Sequence, residues 1–333
     1  MRWLEFSPSF KSAINLDEKI PVSFRHQITP GPVGRYRKRI KPMQEFLQYF
    51  FSGITNGAIY AVIAIGFSML YRSTDLINFA HGEFVMIGAL SMITLTIALQ
   101  IPVLPAFLLT VFGVSLLGLI FERLAIRTVR RPEPVVLILI TVGASIFLRG
   151  AAMLIWGKDA HNMPPFTTHA PLDILGARLL IQSVWILLIT ILLAGLLHFF
   201  YKKTLTGKAM HACAINKRAA WLVGIPSKLM VLLAFGLSTG MGAVAGAIIA
   251  PITMPAYDMG SMLGLKGFCA AMLGGLGSLW GSVLGGFLLG ILEAMGVGFV
   301  SSGLKDATAF LVLLLVLYFR PGGILSAVTA KRF

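Results

Sequence analysis

Charged side chains are scarce in this 333-residue sequence, in which Asp, Glu, Lys and Arg together account for only 12% of the residues. A soluble domain usually carries about 25%. Hydrophobic residues make up 57%, and several uninterrupted apolar runs have the length of about 20 residues that a membrane-crossing helix needs. The short alternating segments of a membrane β-barrel are missing. The sequence therefore predicts an all-α polytopic membrane protein.

Acidic residues are the scarcer charges, with 13 Asp and Glu against 28 Lys and Arg, which gives a formal net charge of +15. In a soluble protein such an excess would suggest a nucleic-acid partner. Here the basic residues cluster in the N-terminal segment and in loops between apolar runs, where they orient the chain on an anionic bilayer. We therefore predict the lipid bilayer as a partner and expect no nucleic acid.

Sequence signals of catalysis are also missing. The chain has no phosphate-binding G-x-x-x-x-G-K-[ST] loop, no Ser/His/Asp arrangement in a recognisable context and no Cys/His spacing suited to a metal ion. Its two cysteines, Cys213 in a polar loop and Cys269 in an apolar run, are expected to lie at different depths and to form no disulfide. We predict that the chain is not an enzyme and binds neither metal nor cofactor, so that any ATP hydrolysis occurs in another chain.

Apolar runs and turn residues divide the chain after residue 42 into about eight or nine transmembrane segments, some of them broken or re-entrant. The Gly-rich stretch 262–300 is too long for one straight span and is divided at its GGLGSLWGS run. The predicted segments are 46–71, a broken segment that starts at 76 and becomes a clean helix at 84–99, then 106–121, 135–156, 179–200, 229–250, a short or re-entrant segment at 263–276, 280–300 and 307–319.

Residues 1–42 differ from the rest, since they carry nine basic and three acidic side chains, several Pro and Gly, and no apolar run. We predict a disordered basic extension here and a membrane domain at 43–333. Placing the basic loops in the cytoplasm leaves this extension outside, against its excess of positive charge. Translation from Met43 would remove the conflict, and we favour that hypothesis.

One loop, residues 201–228 (the basic loop), is especially basic and contains no acidic residue. Such a loop stays in the cytoplasm. Its alanines favour a helix, which Gly224 and Pro226 would end. A short basic helix on the cytoplasmic face could receive force from a soluble partner; the alternative is an ordinary loop that only orients the chain. Its basic residues are Lys202, Lys203, Lys208, Lys217, Arg218 and Lys228.

Polar side chains within apolar segments are costly in lipid and usually face a cavity or a partner. Asn78, His81 and Glu83 interrupt the second segment together, which makes them candidates for a substrate pathway. They could instead cap the following helix and brace it, with Gly82 turning the backbone and His81 donating to Glu83. Arg149 is expected to reach the outer membrane surface with its side chain.

A second set of charged side chains lies near the C-terminus. Glu293 is deep in its segment and is expected to pair with Lys266 or a backbone donor, in a mainly structural role. Lys305 and Asp306 lie at the end of a segment, and no special role is expected for them.

Two series of small residues recur every four positions, which predicts one helix face for each. Small residues let membrane helices approach closely, so we predict helix-packing seams, with a subunit interface as the alternative for one of them. The first series is Ser238, Gly242, Gly246 and Ala250, and the second is Gly274, Ser278, Ser282, Gly286 and Gly290.

Three stretches, LINFAHGEFVMIGA, GLKGFCAAMLGGLGSLWGSVLGG and the closing RPGGIL, resemble the permease subunits of branched-chain amino acid ABC importers, the Liv-type family. The resemblance extends from Met43 to about residue 321. ABC importer permeases also carry a cytoplasmic Glu-Ala-Ala-x-x-x-Gly pattern that docks on the ATPase. Here Arg218 replaces the Glu. The resemblance assigns the ATPase-coupling loop to Lys217, Arg218, Ala219, Ala220 and Gly224.

This resemblance implies an inner-membrane permease for branched-chain or other hydrophobic amino acids, in a bacterial importer with two cytoplasmic ABC ATPase subunits that use ATP and Mg²⁺. A second permease, either a paralogue or a copy of this chain, and a periplasmic substrate-binding protein are the other implied partners. Permeases for urea, amides or sugars remain the nearer alternative. An ion-coupled secondary transporter or channel, which needs no ATPase, is the more distant one.

Overall fold

The computed structural model describes residues 42–129, 133–167, 170–299, 301, 303, 305–320 and 322–325. The predicted basic extension, apart from residue 42, lies outside the described residues. The described part is almost entirely helical. Its helices are α1 Pro42–Thr74, α2 His81–Ile93, α3 Val103–Phe121, α4 Pro134–Trp156, α5 Ile181–Lys203, α6 Leu205–Ile215, α7 Lys217–Leu222, α8 Ser227–Thr253, α9 Met259–Gly274, α10 Leu279–Phe299 and α11 Lys305–Phe319.

Two helices end in a π-helical turn, at Thr94–Ala98 after α2 and at Glu122–Ile126 after α3. A small antiparallel hairpin of β1 (Leu172–Ile174) and β2 (Ala177–Leu179) follows α4. The sequence analysis predicted no strand, and it wrongly began the fifth span at residue 179. Leu175 and Gly176 form the turn of this hairpin, and both adopt positive φ values. The rest of the loop around the hairpin is irregular.

Among the described residues, seven helical segments are long and apolar enough to cross a membrane: α1, α2 with its π-turn, α3 with its π-turn, α4, α5, α8 and α10. The apolar helices α9 and α11 are shorter, with 16 and 15 residues. The prediction of an all-α polytopic membrane protein is therefore confirmed. The predicted re-entrant segment is α9, which begins four residues before residue 263 and returns through a tight turn into α10.

Helices α1 and α8 form the centre of the bundle. The protein buries 89% and 83% of the residues in their most apolar stretches, against 17% for α4. Their small residues permit this. On the α8 face, the Cβ of an alanine at Gly246 would overlap Val85 of α2, and on α10 one at Gly286 would overlap Ala61 of α1. The outer helices α3, α4 and α5 instead expose large apolar side chains, as helices in contact with lipid do.

The small-residue series that starts at Gly274 does not lie on one helix face, and that prediction is wrong. Gly274 ends α9, Ser278 lies in the turn, and only Ser282, Gly286 and Gly290 lie on α10. The helix breaks here because Gly275 and Gly277 adopt positive φ values of 103° and 86°. Gly274 nevertheless packs directly on Gly281 across the turn, which brings the backbones of α9 and α10 close together.

Both series contact other helices of the same chain. Gly290 faces Gly57 of α1, and the Cβ of an alanine at Gly242 would lie within 3.5 Å of Phe84 and His81 on α2. Residues that pack on other helices of the same chain in this way form helix-packing seams. The alternative of a subunit interface for one series stays a prediction.

Candidate functional site

Between α1 and α2 the chain passes through the protein interior without helical hydrogen bonds. The side-chain Oδ1 of Asn78, which is 1% exposed, accepts a hydrogen bond of 3.0 Å from the N–H of Ala80. The hydroxyl of Thr141 on α4 accepts one of 3.2 Å from the N–H of Phe79. Buried backbone donors need such partners, so Asn78 and Thr141 hold the shape of this bend.

Helix α2 begins at His81, three residues before the predicted residue 84. Gly82 does not turn the backbone, because it lies inside the helix. Its small size has another purpose: the Cβ of an alanine here would overlap the carbonyl oxygen of Gly260 and lie 2.7 Å from the Cα of Gly264. Gly82 thus permits backbone contact between α2 and α9.

His81 is fully buried and does not contact the Glu83 carboxylate, so the predicted donation between the two is wrong. Its Nδ1 lies 3.4 Å from the hydroxyl of Ser238 on α8, and its ring packs edge-on against Phe67 with 4.6 Å between centroids. The Ser238 hydroxyl donates to the carbonyl of Gly66. His81 therefore links the start of α2 to α8 and α1.

Glu83 lies in the first turn of α2 with 1% of its surface exposed. Its Oε1 accepts hydrogen bonds from Ser145 at 2.9 Å, from Nη2 of Arg149 at 3.1 Å and from Ser261 at 3.1 Å. The same Nη2 also donates to the Ser261 hydroxyl. We call these four residues the Glu83–Arg149 cluster. It joins α2, α4 and α9, and the α2 N-terminus adds a favourable dipole.

Arg149 thus does not extend toward the membrane surface, contrary to the expectation from sequence. Its partners are 66 and 112 residues away in the chain, so local sequence held no sign of them. Its side chain remains 35% exposed, on the side of a cavity of about 200 Å³ between α1, α4 and α9. Phe67, Phe79 and Phe268 form the aromatic part of the cavity wall.

A second buried charged group, the Lys266–Glu293 cluster, joins α1, α9, α10 and α11. Lys266 donates to Glu293 Oε1 at 3.1 Å, as predicted, and also lies 2.7 Å from Asp306. Tyr60 donates to the other Glu293 oxygen at 2.9 Å. Lys305 lies 3.8 Å from Glu293. The sequence analysis missed the participation of Tyr60, Lys305 and Asp306.

The basic loop folds into two helices, α6 and α7, where the sequence predicted one. Asn216 separates them, because its side chain accepts from the N–H groups of Arg218 and Ala219 at 3.0 Å and so caps α7. Gly224 then adopts a φ of 84° after the end of α7. The loop surface combines exposed basic residues with exposed apolar ones.

The apolar part of this surface is substantial. Trp221, Leu222 and Val223 are 70%, 77% and 75% exposed. Ala219 is exposed, whereas Ala220 is only 3% exposed and packs into the protein. Lys217 is the first residue of α7. An exposed apolar patch of this kind is typical of a surface that contacts another protein.

One histidine of this surface does not add to its charge. Partial burial, with a smaller effect from the Arg72 charge, lowers the pKa of His211 below its ordinary value. His211 is therefore neutral at neutral pH, and Lys and Arg side chains supply the positive charge of the loop.

Comparison with known proteins places this architecture in a family. Residues 49–319 match the family model described as "Branched-chain amino acid transport system / permease component". The chain is 35% identical to the high-affinity branched-chain amino acid transport system permease protein BraD of Pseudomonas aeruginosa, over 84% of this chain and 95% of BraD. It is 34% identical to LivH of Escherichia coli K12, again over 84% of this chain and 95% of LivH.

A more distant similarity is to the autoinducer 2 import system permease protein LsrC of Escherichia coli O9:H4. That match has 30% identity and covers 65% of this chain and 63% of LsrC. The matches to BraD and LivH are more extensive, and the family model covers all of six of the seven helical segments long and apolar enough to cross a membrane in the described part, and most of α1. This multi-pass membrane protein is therefore a transport subunit, not an enzyme, and it belongs to the family of branched-chain amino acid transport system permease components.

Proposed function

We propose that this protein is the inner-membrane permease subunit of an ATP-driven importer for branched-chain and other hydrophobic amino acids. The observation that carries the proposal is the similarity to BraD and LivH, which extends over 95% of both proteins. Both are named as high-affinity permeases for branched-chain amino acids. The similarity includes the helices that build the Glu83–Arg149 cluster and the basic loop.

The proposed assembly contains two permease subunits, two cytoplasmic ABC ATPases and a periplasmic substrate-binding protein. The second permease is a paralogue or a copy of this chain. ATP and Mg²⁺ bind to the ATPases, and this chain binds no cofactor of its own. The exposed Trp221, Leu222 and Val223 of the basic loop support an ATPase partner, because a channel or ion-coupled transporter has no need for such a cytoplasmic patch.

Within this function, Asn78, His81 and Glu83 shape the translocation path by holding the break before α2. Asn78 supports the bend and His81 connects α2 to α8, whereas only Glu83 belongs to a charged cluster beside a cavity. We assign coupling to the ATPases to the exposed surface around Lys217, Arg218, Ala219 and Gly224. Ala220 has a different role, since its buried methyl group supports this surface from within.

A permease for amides, urea, sugars or another small polar solute is the alternative. LsrC, which is named for autoinducer 2 import, represents that direction, but its match covers only 63% of its length. The cavity wall also favours a hydrophobic amino acid, since Phe67, Phe79 and Phe268 suit an apolar side chain better than a polar one.

The coupling surface can be tested with Trp221→Glu and Gly224→Pro. The first places a charge in the apolar patch, and the second is incompatible with the positive φ at this position. We expect both variants to insert into the membrane but to lose at least tenfold of the binding-protein-stimulated ATP hydrolysis and leucine uptake in proteoliposomes containing the whole assembly. Leu175→Glu, on the 78% exposed turn of the hairpin at the opposite face, is the matched control.

Two results would contradict the proposal in different ways. Normal hydrolysis and uptake in both loop variants would show that the basic loop does not couple the ATPase. A wild-type assembly that takes up no leucine, isoleucine or valine with its binding protein present would show that the substrate class is wrong.

A further inference from the structure

The cavity beside the Glu83–Arg149 cluster combines one cation and two serines with an otherwise apolar wall. Its lining includes Phe67 of α1, Phe79 before α2, Val142 of α4, and Phe268 of α9. Arg149, Ser145 and Ser261 supply the polar part of the wall. A guanidinium that is 35% exposed on a membrane-crossing helix is costly in contact with lipid. This side of the cavity is therefore better suited to a polar ligand than to a lipid tail.

The guanidinium keeps donors free for such a ligand. Its Nη2 is used by Glu83 and Ser261 and its Nε is buried, whereas its Nη1 makes no hydrogen bond among the described residues and belongs to a side chain that is 35% exposed. Glu83 fixes the position of the guanidinium from behind. Glu83 itself does not line the cavity. A carboxylate that entered the cavity would find donors in a planar arrangement that binds carboxylates well.

The hydroxyl of Ser145 completes the polar wall. It donates its proton to Glu83, so its oxygen lone pairs remain able to accept a hydrogen bond from an ammonium group. The apolar remainder of the wall can hold a hydrocarbon side chain. A volume of about 200 Å³ lies below the range of drug-sized sites and suits a ligand as small as an amino acid.

We propose that the cavity between α1, α4 and α9 binds a hydrophobic amino acid during translocation, with Arg149 holding the carboxylate and the Phe67, Phe79 and Phe268 side chains contacting its apolar group. This inference rests on the proposed substrate class and assigns it a place in this chain. Arg149 is then a specificity-determining residue, because solutes without a carboxylate leave its exposed guanidinium unpaired in the cavity.

The first test separates a binding role of Arg149 from a structural one. Arg149→Gln alone leaves Glu83 buried without its cation and can destabilise the protein for that reason. The double variant Glu83→Gln with Arg149→Gln removes both charges and keeps side chains of similar shape that can hydrogen-bond. We expect this double variant to assemble and to unfold at a temperature close to wild type, while its leucine uptake in proteoliposomes falls at least tenfold.

A merely structural ion pair gives the opposite result, in which the double variant recovers both stability and uptake. Uptake within twofold of wild type would therefore overturn the proposal. Radiolabelled leucine bound to its binding protein is the probe, and the complete assembly with both permeases and both ATPases is used.

The second test does not depend on the ion pair. Val142→Trp adds bulk at the cavity wall, whereas Leu139→Trp makes the same type of change one turn away on α4, at a position that is 64% exposed and does not line the cavity. We expect at least a tenfold loss of leucine uptake for Val142→Trp and near-normal uptake for Leu139→Trp. Equal uptake by the two variants would overturn the proposal.

These outcomes are distinguishable from failure of the proposed function. If the wild-type assembly transports leucine but the cavity variants do so equally well, the cavity does not bind the substrate. If the wild-type assembly transports none of the hydrophobic amino acids, the substrate class itself is wrong. A cavity filled by a lipid or by the second permease would also leave uptake insensitive to the double neutral variant.

Discussion

Replacement of Lys266 by Met tests the energetics of the Lys266–Glu293 cluster. The side chains of Lys266 and Glu293 are 6% and 0% exposed, so Met would leave a carboxylate buried without its principal cation. Removal of one partner of a buried ion pair costs about 3–5 kcal/mol. Glu293 keeps its hydrogen bond from Tyr60, and the half-exposed Asp306 can return to solvent, so we expect a cost near 3 kcal/mol.

The same structure supplies a matched control and a rescue. Lys305→Met removes a cation 3.8 Å from the same Glu293 oxygen, but Lys305 is 53% exposed, and we expect less than about 1 kcal/mol. The double variant Lys266→Met with Glu293→Met replaces the pair by apolar side chains. It leaves only the Tyr60 hydroxyl unpaired, which costs about 1–2 kcal/mol. The double variant should therefore be more stable than Lys266→Met alone.

The assay is the free energy of unfolding of the purified protein, measured by titration from mild detergent into SDS. A Lys266→Met variant no less stable than Lys305→Met would refute the reasoning, because burial could not then govern the strength of this pair. A double variant that is no more stable than Lys266→Met alone would also refute it.

Two further predictions follow from the packing and the orientation of the chain. Gly82→Ala should lower the free energy of unfolding by at least about 1–3 kcal/mol, since its methyl group would lie 2.7 Å from the Cα of Gly264. Gly143→Ala, whose methyl group would have nothing within 4 Å, should be neutral or slightly stabilising. Thermal unfolding in detergent compares the two, and equal midpoints would contradict the close approach of α2 and α9. A cysteine at Lys208 should react with a membrane-impermeant thiol reagent only from the cytoplasm, and one at Leu175 only from outside. Labelling on the opposite sides would invert the orientation derived from the basic loops.

Much of the fold could be predicted from local sequence. A run of about 20 apolar residues has few stable alternatives to a membrane-crossing helix, because lipid supplies no hydrogen-bond partners for the backbone. The predicted spans accordingly correspond to α1, α2, α3, α4, α5, α8, α9, α10 and α11. The ends of the predicted spans were less accurate. Gly82 suggested a bend before α2, but α2 already begins at His81, and the small size of Gly82 permits contact with α9.

The charged clusters were harder to predict, because pairing in three dimensions does not follow distance along the chain. Glu293 and Lys266 lie on neighbouring antiparallel helices, and their pairing was predicted and confirmed. Arg149 appeared from sequence to be a residue near the membrane surface. Its contact with Glu83 depends on how α4 packs against α2 and α9, which no local pattern records.

The sequence by itself determined the class of protein and the resemblance to a permease family, and it predicts the side of the membrane on which the basic loop lies. Hydropathy, charge and short motifs carry that information, since each depends on residues close together in the chain. Only the tertiary structure decided that Glu83 pairs with Arg149 rather than with His81, and that a cavity with one cation lies beside them. Those contacts join residues up to 178 positions apart, and they exist only where close-packed glycines bring α2 and α9 together and α4 packs beside them.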